Sequence, residues 1–538
     1  MKRLIALCST LCLGLLIVLT SCNSKDTLPN IMGSLDIRAF KTDLSVTAKF
    51  TDSEEHDLYN DKVKSYISVN STGEEVKELS RKEVTISKPS TAETTLIGSK
   101  LEFSSLTADT TYSVKLIISS KGVQKTLTTK EVTTLSTGES EDDPILVDSL
   151  DMLLGMNKTK DAYYKLTTDI DCGGSISSIF NSTSTFAGTF DGDGHKIYNY
   201  KMDSNQYTGL FGYMSGATVK NLVLEDVSYE ATRSNTYLGA LAGLAKHCKI
   251  SNVTVKNLNF KHSGQTTTYS YVGGLIGQAD SCEINNCTVE EASIEIPSAR
   301  LKMYVGGFVG ENKKSNITDC HVIGIVNAKI YYTSNADGCL YLGGFSGIND
   351  SSSGIINCYS KVNITVTEND GTPGSGRTTF KLYVGGFNGG NRKDASRFNN
   401  CASIGDIDVS VKSAYFVYVG GFAGYTDSQN IALYDACIYV PKENGVKLTL
   451  AEPPKASEDT KDDEENKDKE EPKIEQVAFV SMAVGKIDPK NENTVHVIVY
   501  RDLLEITNEH EKVTKNSYIV SQDLTSFSEA IRNVILEA

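Results

Sequence analysis

Tryptophan is absent from this chain of 538 residues, and so is any stretch of clustered Lys and Arg. With a net charge of −15, the missing basic surface excludes nucleic acid as a partner, because phosphate binding needs grouped cations to displace counterions. Beyond the amino terminus no apolar run reaches membrane-spanning length. The seven histidines are scattered, His-Glu-x-x-His is missing, and no Cys/His spacing reads as a zinc site. There is no P-loop and no Gly-x-Ser-x-Gly. Neither a cofactor nor a metal is expected.

What is plentiful is Tyr, Ser, Thr, Asn and Gly, a composition that suits an exported β-rich protein. Residues 1–22 read as an export signal: Lys2 and Arg3 precede an apolar Leu4–Leu19, and Leu19-Thr-Ser-Cys22 has the form of a lipobox. Cleavage there would free Cys22 for lipidation, palmitate included, making a membrane its first partner. Residues 23–29 form a polar tether, which suits a lipid anchor in a bacterial outer membrane with the protein on its outer face.

Between Tyr207 and Gly424 one phrase recurs. Tyr-Val-Gly-Gly-Leu-Ile-Gly at 271–277 returns as Tyr304–Gly310, Tyr341–Gly347, Tyr383–Gly389 and Tyr418–Gly424, with looser copies at Tyr207–Gly212 and Tyr237–Gly243. Ile-x-Asn-Cys or a relative follows each. A period of about 30 to 42 residues marks one unit stacked on copies of itself. Val305 and Phe308 stand three apart around Gly306-Gly307, so the Gly pair must bend the chain to return the aromatic to the core.

The other recurring positions carry their own expectations. Cys287, Cys320, Cys358 and Cys401 read as small buried hydrophobes in a column. Cys248 and Cys282 match across adjacent repeats, where stacked strands lie close enough for a disulfide. Asn221, Asn252, Asn286, Asn357 and Asn400, with Asp319 once, form an amide column bonded to itself and to turn backbone. Tyr237, Tyr271, Tyr304, Tyr341, Tyr383 and Tyr418 each precede an inward apolar residue and should face outward. Two readings stand for them: a strip that meets sugar rings or a protein, or a self-packed ladder under neighbouring loops. Insertions fall before the Tyr position, at His262–Ser270, Tyr331–Leu340 and Asn369–Lys381, and one face of a solenoid carries such insertions, often its binding face.

The flanks differ. Residues 30–137 alternate over roughly seven short strands, as in a β-sandwich, and Leu106–Tyr112 resembles the tyrosine corner of immunoglobulin-like or fibronectin III-like modules, with Ala108 where Pro is usual. Gly138–Asp143 reads as an acidic linker and Asp148-Ser149 as the cap of a short helix. Residues 451–473 are charged and of low complexity, a linker expected to be disordered. Residues 474–538 read as a small α+β segment or a cap of the solenoid, with a capping box at Ser526–Glu529.

Tyr163-Tyr-Lys-Leu-Thr-Thr-Asp-Ile-Asp171 and Phe186-Ala-Gly-Thr-Phe-Asp-Gly-Asp-Gly-His195 resemble the first coils of a right-handed parallel β-helix, and the repeats after them resemble the GLUG motif of bacterial secreted and surface proteins. The resemblance covers residues 144–440. It implies an all-β chain whose solenoid follows the β-sandwich, and it is unspecific for activity. Parallel β-helices host polysaccharide lyases and glycoside hydrolases. Those need calcium-binding acids beside a basic residue, or paired carboxylates on one wall. The repeated wall positions here are Val, Cys, Asn, Thr and Gly, and Asp169, Asp171, Asp191 and Asp193 belong to the turns of the first coils. The expectation is a surface binding module, adhesin-like, for a glycan or a surface protein. A polysaccharide-degrading enzyme and an accessory of a nutrient-uptake complex are the alternatives.

Overall fold

The computed structural model describes residues 31–537 apart from 41, 52–57, 59–62, 74, 88–94, 233–235, 264–268, 300–301, 331–337, 369–379, 393–395, 412–415, 427–432, 451–476, 487–494, 508–512 and 516–518. The signal, Cys22, the tether and the linker 451–473 therefore lie outside the described residues. Contacts divide the chain at Thr134/Leu135 into two units.

The first unit is a β-sandwich of two four-stranded antiparallel sheets. Alternation in Leu44–Thr51, Lys64–Ser71 and Thr111–Ser120 sends Val46, Ala48, Phe50, Ile67, Val69, Val114 and Leu116 into one shared core. The Tyr112 hydroxyl accepts the Thr107 backbone N–H at 2.7 Å, which pins the turn at 106–112 to the strand that follows it.

The second unit is a parallel β-helix. Each coil runs through a tyrosine wall, bends at Gly-Gly into a second wall, then turns into a long wall built from the Ile-x-Asn strand and the strand after it. In the coil of residues 302–330 these are Lys302–Gly306, Val309–Lys313, Asn316–Thr318 and His321–Ile330. Copies of each strand pair in parallel and in register, so Tyr271, Tyr304, Tyr341, Tyr383 and Tyr418 are direct neighbours along the stack. Phe308, Phe345, Phe387 and Phe422 stack inside at 4.6, 4.8 and 4.9 Å between centroids. The Gly-Gly corner does return the aromatic to the core. It tolerates only Gly at 306, because a Cβ there would lie 2.1 Å from the Val309 carbonyl oxygen.

Both ends depart from the boundaries read in the sequence. The acidic segment 138–143 is not a free linker: Gly138 C=O accepts from Tyr163 N–H at 2.9 Å, the Ser136 hydroxyl donates to Pro144 C=O at 2.7 Å, and Leu135 packs on the solenoid core. Helix α1 (Leu150–Gly155) follows, with Ser149 as its N-cap residue. At the other end the coils do not stop at 440. Val477–Ser481, Val484–Lys486, Val495–Val499 and Leu504–Thr507 add to the same walls, and Phe479 takes the tyrosine position beside Tyr418. Helix α2 (Glu529–Leu536) then packs Ile531 and Ile535 on Ala402, Ile404, Ile438 and Val440 of the long wall. Its N-cap is Ser528, two residues beyond the Ser526 expected from the capping box, with Ser528 accepting from Ile531 N–H.

Candidate functional site: the tyrosine corner

The tyrosines stand on the outer face, since Met303 and Val305 on either side of Tyr304 belong to the solenoid core and Tyr304 does not. From Tyr207 through Tyr237, Tyr271, Tyr304, Tyr341, Tyr383 and Tyr418 to Phe479 the ring centroids follow one another at 4.1 to 5.4 Å. Most of these pairs are face-to-face. The rings lean over the second wall: a Cβ at Gly390 would meet the Tyr341 ring at 2.9 Å, Tyr213 lies 5.1 Å from Tyr207, and Tyr425 lies 5.3 Å from Tyr383.

This arrangement changes what the column can offer. Its ring faces are occupied by one another, so edges and hydroxyls are what remains for a ligand. Outward position also does not mean exposure. Tyr304, Tyr383 and Tyr418 are 1%, 7% and 5% exposed, whereas Tyr207, Tyr237, Tyr271 and Tyr341 are half-buried. Burial raises the phenols of Tyr271, Tyr304, Tyr341 and Tyr383, and that of Tyr418 to about 12, so they remain protonated hydrogen-bond donors at neutral pH.

The floor of the corner holds a charged cluster that no repeat in the sequence announced. Arg392 reaches back along the stack, donating to Tyr304 Oη at 3.1 Å, Glu311 Oε1 at 3.2 Å and Asp350 Oδ2 at 3.2 Å. Glu311 is 3% exposed, and Gln278 Nε2 donates to its other oxygen. Burial raises the Glu311 carboxyl above its ordinary range, against the opposing pull of Gln278 and Arg392. These residues occupy non-repeating positions, which is why periodicity passed over them. An inner amide file was missed for another reason. Asn349 donates to Asn388 at 2.9 Å, Asn388 to Asn391 at 3.0 Å and Asn391 to Thr426 at 3.2 Å inside the coil. Asn312, Asn349 and Asn391 each stand two residues past the last Gly of the phrase, a signal that could have found them.

The remaining sequence candidates resolve as structure. Asn252 donates to Asn221 at 2.9 Å, Asn286 to Asn252 at 2.8 Å, Asn357 to Asp319 at 3.0 Å and Asn400 to Asn357 at 2.7 Å. Each of these ladder residues has a positive φ, which Asn and Asp tolerate best after Gly. Cys287, Cys320, Cys358, Cys401 and Cys437 are buried free thiols, and Cys248 and Cys282 are free as well. Asp171 accepts from Gly173 N–H and Asn199, and Asp191 from Asp193 N–H and Asn221. Those acids close turns. No group of three or more His, Cys, Asp or Glu among the described residues could hold a metal ion. The insertions at 264–268, 331–337 and 369–379 lie outside the described residues, and the chain returns from each directly to the tyrosine wall.

Residues 268–295 match the GLUG motif. Fold and match together define the class: a parallel β-helix carrying the GLUG motif. Halomucin of Haloquadratum walsbyi is 32% identical over 177 residues, which is 29% of this chain and 2% of that protein. The chain thus spans a small fraction of the curated relative it matches. Among solved structures it is similar to an IgA1 protease (17% identity, 72% of this chain and 28% of that one, TM-score 0.36). It also aligns with a family 28 exopolygalacturonase of Yersinia enterocolitica (8% identity, 91% of this chain and 99% of that one, TM-score 0.17).

Proposed function

We propose that this protein is a lipid-anchored β-solenoid of the bacterial cell surface, held in the outer membrane through Cys22, that acts as a non-catalytic, adhesin-like binding module for a glycan or another surface. The observation that carries this reading is the tyrosine column: an axial row of aromatic edges and hydroxyls on the outer face of one wall. The lipobox at Leu19–Cys22 supports the anchor. The corner's carboxylates support a binding role over hydrolysis, because Glu311 and Asp350 converge on Arg392 rather than facing an open cleft.

Two experiments test this. Cys22→Ala should abolish lipid labelling and release the protein from the membrane fraction; retention of both would end the anchor. The whole chain, offered glycans and intact cells, should bind at least one of them, and binding to none would end the binding role. Unsaturated products from uronic-acid polymers would replace the binding module with a lyase, and stoichiometric co-purification with a transporter would make it an uptake accessory.

A further inference from the structure

Four features of the tyrosine corner narrow what can occupy it. Ring faces are used up by self-stacking, so a ligand meets hydroxyls and edges. The half-buried rings gather toward the amino-terminal half, at Tyr207, Tyr237 and Tyr271, with Tyr341 beyond them. Further on, Arg392 engages the Tyr304 hydroxyl, and Tyr383 and Tyr418 are buried. The rings there repeat at 5.1 and 4.6 Å. An extended peptide presents a residue every ~3.3 Å and the same face every ~6.6 Å, so neither period keeps step with the column. Moreover, the strands of Tyr237 and Tyr271 already pair along both edges within a nine-stranded sheet, so strand addition there has main chain to offer only at the end strand of Tyr207 and not along the column.

We propose that the occupant is a neutral, extended glycan lying along the solenoid axis over Tyr207, Tyr237 and Tyr271, about one sugar unit per coil. Its hydroxyls exchange hydrogen bonds with the three phenols, and Gln278, Lys246 and Asp280 of the second wall supply polar partners at its flank. Lys246 lies 5.7 Å from the Tyr213 ring, and Asp280 pairs with Lys313 at 3.3 Å, so the flank is close to charge-balanced. A polyanionic chain would meet a protein of net charge −15. This proposal rests on the binding reading above and specifies its ligand.

The test titrates the full chain with neutral hexose hexamers of several linkages and with hexauronates. Tyr237→Phe and Tyr271→Phe each remove one hydroxyl while keeping the ring in the stack. Each should weaken the neutral hexamer by about five-fold, the worth of one hydrogen bond. Tyr198→Phe, on the long wall, should leave the affinity unchanged, and affinity should rise from dimer to tetramer. Neutral-glycan binding indifferent to both Phe variants overturns this placement and leaves the binding reading intact. Preference for hexauronates overturns the neutral class. Capture by intact cells without any saccharide binding overturns the glycan alone, and failure of both overturns the binding reading as well.

Discussion

Asn400 and Ser528, 128 residues apart, exchange hydrogen bonds: Asn400 Nδ2 donates to the Ser528 hydroxyl at 2.7 Å and Asn400 Oδ1 accepts the Ser528 N–H at 2.9 Å. Ser528 is the N-cap of α2. In the next coil the ladder position is Ala436, still at φ 47°, with no amide to offer. The ladder therefore passes its last step to the helix that covers the wall, and this helix is held by the same bonding pattern that orders the coils.

Asn400→Ala should cost about 1–2 kcal/mol, combining a lost ladder step with a lost cap partner. Ser528→Ala should cost about 1 kcal/mol. In urea denaturation the double variant should cost less than the sum, because the two side chains bond each other.

Arg392→Met should destabilise by about 2 kcal/mol, less than a fully buried pair would because Arg392 keeps a 34% exposed side chain. The remaining Glu311 would be buried without its cation. Adding Glu311→Gln should recover most of the loss. The sign with pH follows from the raised Glu311 carboxyl: the folded state holds the proton longer than the unfolded one. Its contribution therefore falls as pH rises above the ordinary carboxylate range, more steeply in Arg392→Met.

His262 is fully buried, neither ring nitrogen has a hydrogen-bond partner among the described residues, and burial lowers its pKa from 6.5 to about 4. The unfolded chain binds the proton first as pH falls, so stability should drop between pH 6.5 and 4 by up to about 3 kcal/mol. His262→Leu should flatten that limb in melting curves recorded across the range.

Gly306→Ala and Gly390→Ala separate backbone from side-chain clashes. At Gly306 the new Cβ meets the Val309 carbonyl at 2.1 Å, and the Gly347 nitrogen at 2.7 Å. That variant should lose more than about 3 kcal/mol or fail to fold. At Gly390 the nearest atoms belong to the Tyr341 ring, which can shift. A loss of about 1 kcal/mol and altered tyrosine fluorescence are expected there.

Thiol labelling should report the column directly. Among the described residues every cysteine is buried except Cys339, which is half-buried, with burial pushing its pKa up to about 11. A maleimide should modify Cys339 first and slowly, and reach Cys287, Cys320, Cys358, Cys401 and Cys437 only with unfolding, as peptide mass spectrometry would show.

The amino acids alone made the stack legible. The Gly-Gly pair between Val and Phe demanded a bend, the Ile-x-Asn phrase demanded an ordered amide ladder, and the Tyr position demanded an outward face, because each is a local consequence of residue type at a fixed period. The coils after 477 escaped notice because Ser481-Met482 stands where Gly-Gly does elsewhere, although Phe479 continues the column in register. The tertiary structure decided what depends on coils separated by many residues: that the ring faces are spent on one another, that Arg392 closes the corner onto Glu311 across two coils, and that Ser528 ends the amide ladder. Periodic sequence fixes what each coil repeats, whereas a long side chain such as Arg392 bonds to whatever the fold brings within reach.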